Sequence, residues 1–362
     1  MPILGIETSC DETGLAVVER GRVLAERLAS QADLHSLFGG VVPELASREH
    51  QRIIAPLFGA LLNDAGLSVR DLNGVAVARG PGLMGSLLVG IGFAKGLCCA
   101  TGLSLVGVNH LHAHLLAADM EQRIEWPALG LLVSGGHTHL YRMRSPTSFD
   151  LIGRTLDDAA GEAFDKAAKI CNLPYPGGSH VDALSRGHAP DPKLFPRPYT
   201  DNDNLDFSFS GLKTAFGQLV AKRPHLRLAR LALDDRDIGA RLPGDVREEL
   251  GMVLASLSLA VAETLTIKTA RALDTFSDAK CLVLAGGVAA NTMLRENMAA
   301  LAASRGLALV APSPRLCTDN AAMIGYAGEI FLASGLRHDL SLDAVPRGRI
   351  VPEDWVGGNC PA

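Results

Sequence analysis

The chain has 362 residues, 48% hydrophobic and 20% charged, a globular composition with apolar material for two cores rather than one. Its net charge of −5 and its 5% aromatic content exclude a broadly basic RNA-binding surface and large aromatic stacking platforms. An RNA substrate would therefore need a local basic patch or a partner protein. Seven cysteines, odd in number and without CxxC spacing, read as reduced thiols and not as a disulfide frame. The N-terminus has no basic stretch ahead of an apolar run, and no run nears ~18 uninterrupted apolar residues. No signal peptide, no membrane span and a cytoplasmic location are expected. The most apolar piece, 83–100, is interrupted by Gly85, Gly90, Gly92, Lys95 and Gly96 and reads as a buried helix.

Residues 3–7 and 15–19 read as short strands joined by the polar turn Thr8-Ser9-Cys10-Asp11-Glu12-Thr13-Gly14, with Arg20-Gly21 turning into a strand over 23–27. Ser47 is placed as the cap of a helix in which Ile53, Ile54, Leu57, Phe58, Leu61 and Leu62 recur at helical spacing. A strand over 75–78, the loop Gly80-Pro81-Gly82, a helix over 86–100 and a strand over 104–108 follow, and the histidine segment after them reads as a helix. The second half repeats this grammar: a strand over 129–133, the turn Ser134-Gly135-Gly136-His137-Thr138, and a strand over 139–142. A long helix over 246–273, a strand over 281–284, the loop Gly286-Gly287, a helix over 291–302, a strand over 307–310 and a helix over 319–331 complete it. A hairpin, strand, glycine loop, helix, strand and helix in each half predict a duplicated α/β domain. The stretch 201–244 is polar and Pro-bearing and reads as an irregular insertion, and residues 346–362 as a loose tail.

Five groups of residues can carry chemistry. The turn holding Asp11 and Glu12 and its counterpart at Ser134, Gly135 and Gly136 gather small residues between paired strands, where backbone N–H groups can form a phosphate-binding concavity; ordinary hairpin turns look the same. In the segment Asn109-His110-Leu111-His112-Ala113-His114, His110 and His114 are i and i+4 on a helix and share a face that can grip one metal, while His112 points elsewhere. A zinc-peptidase helix needs Glu after its first His, and Leu111 stands there. Asp319 can cap a helix or serve as the anionic third ligand; two His and one carboxylate suit ferrous iron, and zinc also fits. Gly286-Gly287 ahead of Asn291 lets backbone approach a ligand at a helix N-terminus. Asp165 and Asp182, around Tyr175-Pro176-Gly177-Gly178, can accept ribose hydroxyls or be surface carboxylates.

Six segments in order resemble one family: Ile6-Glu7-Thr8-Ser9-Cys10-Asp11-Glu12-Thr13, Gly39-Gly40-Val41-Val42-Pro43-Glu44-Leu45-Ala46-Ser47-Arg48, Leu132-Val133-Ser134-Gly135-Gly136-His137-Thr138, Asp157-Asp158-Ala159-Ala160-Gly161-Glu162-Ala163-Phe164-Asp165-Lys166, Phe207-Ser208-Phe209-Ser210-Gly211-Leu212-Lys213-Thr214 and Cys317-Thr318-Asp319-Asn320. The sequence resembles the TsaD family, tRNA threonylcarbamoyladenosine transferases formerly described as O-sialoglycoprotein endopeptidases, from about residue 3 to about residue 345. The resemblance implies a duplicated actin-like ATPase (ASKHA, ribonuclease H-like) α/β fold of two lobes with the site in the cleft. It places residues 1–109 and 320–345 in one lobe and 110–319 in the other. It implies one divalent metal, Fe(2+) or Zn(2+), on His110, His114 and Asp319, and adenylate binding at Leu132, Val133, Ser134, Gly135, Gly136, Asp165, Gly178, Asp182 and Asn291. The implied reaction carries a threonylcarbamoyl group from threonylcarbamoyl-AMP to N6 of adenosine 37 in tRNAs reading codons that begin with A, with TsaB and TsaE as partners. An ATP-dependent kinase or ATPase is the rival activity, and a metallopeptidase the weaker one. No side chain is assigned as general base. Two departures from the family pattern are His112, where an acidic residue is usual, and a longer stretch over 222–244 bearing Lys222, Arg223, His225, Arg227 and Arg230, a basic run read as an RNA contact or a solvated helix face.

Overall fold

A computed structural model describes residues 1–38, 40–229 and 238–356. The chain divides into two units, residues 1–123 with 145–148 and 318–362, and residues 124–144 with 149–317.

The first unit opens with β1 (Ile3–Glu7), β2 (Glu12–Glu19) and β3 (Arg22–Ser30), a meander of antiparallel strands. A short α1 (Ala32–Ser36) leads to α2 (Pro43–Ala65). That helix begins four residues before Ser47, because Pro43 supplies a preset φ at its first position; the Ser47 hydroxyl instead donates back to the Pro43 carbonyl at 2.8 Å. Then come β4 (Gly74–Gly80), α3 (Met84–Thr101), β5 (Ser104–Asn109) and α4 (His110–Ala117). The sheet order is β3-β2-β1-β4-β5, with β4 parallel to both β1 and β5. Strands β1 and β4 are buried along their whole length, so they read as continuous apolar runs.

The second unit holds β6 (Ala128–Val133), β7 (Thr138–Ser145), β8 (Ser148–Arg154), α5 (Ala160–Ile170), α6 (Gly177–Ser185), α7 (Ser210–Lys222), α8 (Ile238–Arg241), α9 (Gly244–Thr275), β9 (Cys281–Ala285), α10 (Thr292–Ser304), β10 (Ala308–Val310) and α11 (Pro314–Cys317). Its sheet order is β10-β9-β6-β7-β8. The hairpin β6–β7 is antiparallel and the β6–β9–β10 pairs are parallel. Reading β6 for β1 and β9 for β4, this is the first sheet's order and sense, so the duplication expected from the sequence is present in the topology.

The chain returns to the first unit as α12 (Ala321–Ala333), which lies on β1, β2 and β4. The approach is close because a Cβ at Gly5 would strike the backbone of Ala321 and Gly325. Helix α4 also packs on α12. The histidine segment therefore belongs with the first unit, and the expected boundary at residue 109 moves to residue 123.

Two further expectations change. The stretch 201–244 is no irregular insertion in its described part. Leu212, Phe216 and Val220 recur at i, i+4 and i+8 on α7 and are buried in the second unit's core with Phe207 and Phe209. The polar start of the stretch is pinned by buried Lys268, whose Nζ donates to Asn202 Oδ1 at 2.6 Å and to the Asn204 carbonyl at 2.8 Å. Residues 230–237, including Arg230 of the basic run, lie outside the described residues. Nor is the tail loose as far as residue 356: Asp354 pairs with buried Arg79, and Trp355 stacks edge-on against Phe331 at 5.4 Å. Residues 357–362 lie outside the description.

By length and composition α3 and α9 are apolar enough to cross a membrane. The apolar window of α9 is 72% buried inside the protein, as a core helix is, but that of α3 is only 33% buried: the helix expected to be buried over 83–100 packs one face on α2 and β4 and leaves Met84 and Leu88 exposed.

Candidate metal centre and nucleotide loops

The metal centre lies in the first unit. Strand β5 ends at Asn109, whose side chain accepts the Leu111 N–H at 3.0 Å and so starts α4. One turn of helix then sets His110 and His114 side by side, their rings 4.7 Å apart, both buried. Across from them the turn before α12 presents Asp319. Its helix-capping alternative is filled by its neighbour: Asn320 Oδ1 accepts the Met323 N–H at 2.9 Å, and its Nδ2 donates to the Thr318 carbonyl at 2.8 Å. The Asp319 carboxylate is thereby left to face the histidines, with Oδ1 3.0 Å from His114 Nε2 and 3.6 Å from His110 Nε2.

These separations fit a metal. Ligand atoms about 2.1 Å from a common ion stand about 3.0–3.5 Å apart at right-angled to tetrahedral geometry. The three donor atoms lie within 4.8 Å of one another. Two imidazoles and a carboxylate are the donor set that ferrous iron and zinc both accept. His112 turns aside, its Nε2 3.2 Å from the Asn109 amide nitrogen. Leu111, in the place of a peptidase's glutamate, is buried.

Glu7 is the residue that sequence reasoning left without a role. It ends β1, is fully buried, and its Oε2 lies 2.9 Å from His110 Nδ1, while Oε1 accepts the Ser9 N–H at 2.5 Å. A carboxylate on the outer nitrogen of a metal-ligating histidine fixes the ring and its tautomer, leaving Nε2 for the ion. The signal was an acidic residue closing an otherwise apolar strand. Glu7→Gln should keep the ring in place but weaken metal affinity by roughly 10–100-fold, read by chelator competition; unchanged affinity would remove Glu7 from the site.

The electrostatics call for a cation. Burial works against a charged His110, but Glu7, Asp319 and Glu12 outweigh it and lift the imidazole to about 9. Burial, then Asp319 and Asp11, push the Glu12 carboxyl up to about 9. Burial first, then Asp11 and Asp319, push the Cys10 thiol up as well. The Asp11–Glu12 turn, expected as a phosphate or substrate turn, thus stands beside Asp319, which after burial is the largest influence holding the proton on Glu12. Glu12 itself opens β2, paired opposite Ser30.

The second unit brings the other expected residues together in a closed ring of packing. Strand β6 ends in Leu132 and Val133, and the turn closes as Ser134 N–H donates to the His137 carbonyl at 2.8 Å. Helix α5 starts against that turn: Ala160 N–H donates to Thr138 Oγ1 at 3.0 Å, and a Cβ on Gly161 would sit 2.5 Å from the Ser134 carbonyl oxygen. From α5, Asp165 Oδ1 accepts the Gly177 and Gly178 N–H groups at 2.8 and 3.2 Å and so holds the start of α6. From α6, Asp182 Oδ1 accepts the Thr292 N–H at 2.9 Å and holds the start of α10, which Asn291 caps through the Leu294 N–H at 3.0 Å. The ring closes at Gly286, with φ +91° and a Cβ position 2.5 Å from the Val133 carbonyl oxygen. The start of α5 and the Gly286 loop ahead of α10 therefore both close on the Ser134 turn, and a helix N-terminus favours an anion. A Cβ at Gly135, Gly178 or Gly287 meets nothing within 4 Å, so the same ring offers open backbone. Burial raises the Asp165 carboxyl above its ordinary value, the two glycine amides pull it down, and Glu162 adds to the rise.

A family model described as TsaD, tRNA N6-adenosine threonylcarbamoyltransferase, matches residues 22–326. The tRNA N6-adenosine threonylcarbamoyltransferase of Nitratidesulfovibrio vulgaris is 58% identical over 362 residues, 99% of either chain. That of Maridesulfovibrio salexigens is 56% identical over 356 residues, 98% of this chain and 99% of its own. Among solved structures, component A of (R)-2-hydroxyglutaryl-CoA dehydratase from Acidaminococcus fermentans covers 91% of this chain and 99% of its own with a TM-score of 0.50 and 13% identity, a likeness of fold alone.

Proposed function

We infer how the site works from one premise: this chain belongs to the TsaD family of tRNA N6-adenosine threonylcarbamoyltransferases, and it is a transferase that modifies tRNA on a duplicated actin-like α/β fold. The donor is threonylcarbamoyl-AMP, the acceptor is N6 of adenosine 37 in tRNAs that read codons beginning with A, and AMP leaves. The exocyclic amine of adenine is a weak nucleophile, its lone pair delocalised into the ring. It needs an activated acyl donor, and a carbamoyl–phosphate mixed anhydride is one.

The ring around Ser134 suits the adenylate. With the Ser134 N–H given to the His137 carbonyl, the open backbone of the turn at Gly135 is the part that favours negative charge as it builds in the transition state. Asp165 spends only Oδ1 on the α6 amides, and a carboxylate offers about four acceptor sites, so its Oδ2 can hold a ribose hydroxyl; Asp182, already bound by the Thr292 N–H and by Arg186 at 2.6 and 3.1 Å, reaches a ribose only by releasing Arg186. Gly178 and Asn291 flank them. In the first unit, His110, His114 and Asp319 hold one divalent ion, ferrous iron with zinc as the alternative. When bound, the ion supplies a Lewis-acid charge for a carbonyl or phosphate oxygen, with no electron transfer. Glu7 fixes the His110 ring. The chain works in the cytoplasm with TsaB and TsaE, and its net charge of −5 accords with an enzyme that receives help in gathering tRNA.

The observation that carries the metal reading is the convergence of two imidazole nitrogens on Asp319 Oδ1 at 3.0 and 3.6 Å. Protein purified without oxygen should contain about one iron per chain; a chelator should remove it along with the transfer activity, and ferrous iron should restore both. Stoichiometric zinc in place of iron would overturn the choice of metal, and the absence of any stoichiometric metal would overturn the site.

A further inference from the structure

The substrate is a polyanion and the chain is acidic, so any place where tRNA rests on this chain itself is a local exception. One groove of the second unit, about 640 Å³, supplies it between α5, α7 and the 3-10 turn Pro224–Leu226. Its floor is apolar, with Ile170 and Val220, and four cations line it: Lys166, Lys169, Lys213 and Arg227. Lys166 is already neutralised, its Nζ 2.5 Å from Asp158 and 3.1 Å from Glu162. Lys169, Lys213 and Arg227 are exposed, and among the described residues none has an ion-pair partner. Nearby cations are spent elsewhere: Arg223 and His225 both bind Glu249, at 2.9 and 2.6 Å. The basic run thus splits, and only part of it is left for an anion.

We propose that this groove binds the sugar–phosphate backbone of the tRNA. An open trough rimmed by long flexible cations fits a chain of phosphates better than a single small anion. Its position agrees with the chemistry. Helix α5, which carries Lys166 and Lys169, starts against the Ser134 turn, and the groove lies at the far part of this helix of eleven residues, about 16 Å long, so a chain of phosphates resting there lies roughly a helix length from the nucleotide ring. Neither Lys169, Lys213 nor Arg227 takes part in that ring or in the metal centre.

The proposal rests on tRNA being the substrate, and the test separates the two. Unmodified tRNA is titrated with the full chain by fluorescence anisotropy between about 50 and about 300 mM salt. The wild type is compared with the triple variants Lys169→Glu/Lys213→Glu/Arg227→Glu and Lys169→Gln/Lys213→Gln/Arg227→Gln, and adenylate binding and thermal melting are followed alongside. The Glu variant should lose at least tenfold in tRNA affinity. Both variants should show a slope of log K against log salt shallower by about 2–3, three phosphate contacts' worth. Adenylate binding and melting should stay as in the wild type, which separates a lost groove from a lost fold or a lost donor site. Unchanged affinity and slope in the Glu variant, a wild type with no salt-dependent tRNA binding, or an effect confined to binding of an acidic partner protein would each overturn the assignment.

Discussion

Asp319→Ala is expected to lower tRNA modification by roughly a thousandfold, about 4 kcal/mol of lost transition-state stabilisation, and to leave the purified chain without stoichiometric metal. The reason is that Asp319 is the anionic member of the donor set, and its Oδ1 is the atom on which both histidine Nε2 atoms converge. Without it, only two imidazole donors remain on one helical face, a much weaker site. The fold should be spared. Asn320, not Asp319, caps α12 through the Met323 N–H, so the helix that covers β1 and β4 keeps its start. The melting temperature should therefore move little while metal content and rate collapse together. Asp319→Asn should behave alike, because it keeps the shape and loses the charge. A variant that retains one metal per chain and the full rate would refute the ligand role.

Gly161→Ala and Gly135→Ala should both raise the KM for threonylcarbamoyl-AMP by roughly 10–100-fold, but for different reasons. A Cβ at Gly161 would sit 2.5 Å from the Ser134 carbonyl oxygen and 2.7 Å from Gly135 Cα, both of them backbone. Backbone cannot rotate out of the way as a side-chain tip can, so α5 must back off the turn. The displaced helix carries Asp165, and with it the support of α6. Overpacking of this kind costs about 1–3 kcal/mol, so Gly161→Ala should also lower the melting temperature. At Gly135 the added methyl meets nothing within 4 Å of the protein. Among the described residues beyond its chain neighbours nothing stands in its way, so stability should hold while a ligand lying on the turn is obstructed and the adenylate KM rises. Calorimetric melting beside adenylate titration distinguishes the two. If Gly135→Ala binds adenylate as well as the wild type, the Ser134 turn does not hold the donor.

The duplicated topology was legible because each half carries the same succession of hairpin, glycine loop and helix, and the two sheets repeat one strand order. The two histidines were legible because helical spacing alone sets residues four apart on one face. Their carboxylate partner was reached only by its chemistry, since 205 positions separate it from His114. What failed was what depends on tertiary packing. The boundary at residue 109 overlooked that α4 packs on α12, an element near the other end of the chain. The stretch 201–244 looked irregular because its polar ends hid the buried Leu212, Phe216 and Val220 between them. The tail looked loose because the Asp354–Arg79 pair joins residues 275 positions apart. Asp165 and Asp182 were weighed as ribose acceptors against surface carboxylates. Their hydrogen bonds to the starts of α6 and α10 add a role that no spacing rule displays. Glu7 passed as the end of a strand until its 2.9 Å contact with His110 was seen.

The most direct test of the account is to incubate the metal-loaded chain with TsaB, TsaE, threonylcarbamoyl-AMP and unmodified tRNA, digest the tRNA, and examine its nucleosides by mass spectrometry. Threonylcarbamoyl-adenosine is expected among the nucleosides of the wild-type reaction and is abolished by Asp319→Ala. Unmodified adenosine from the wild type, under conditions where a relative's enzyme with the same partners modifies it, would contradict the account.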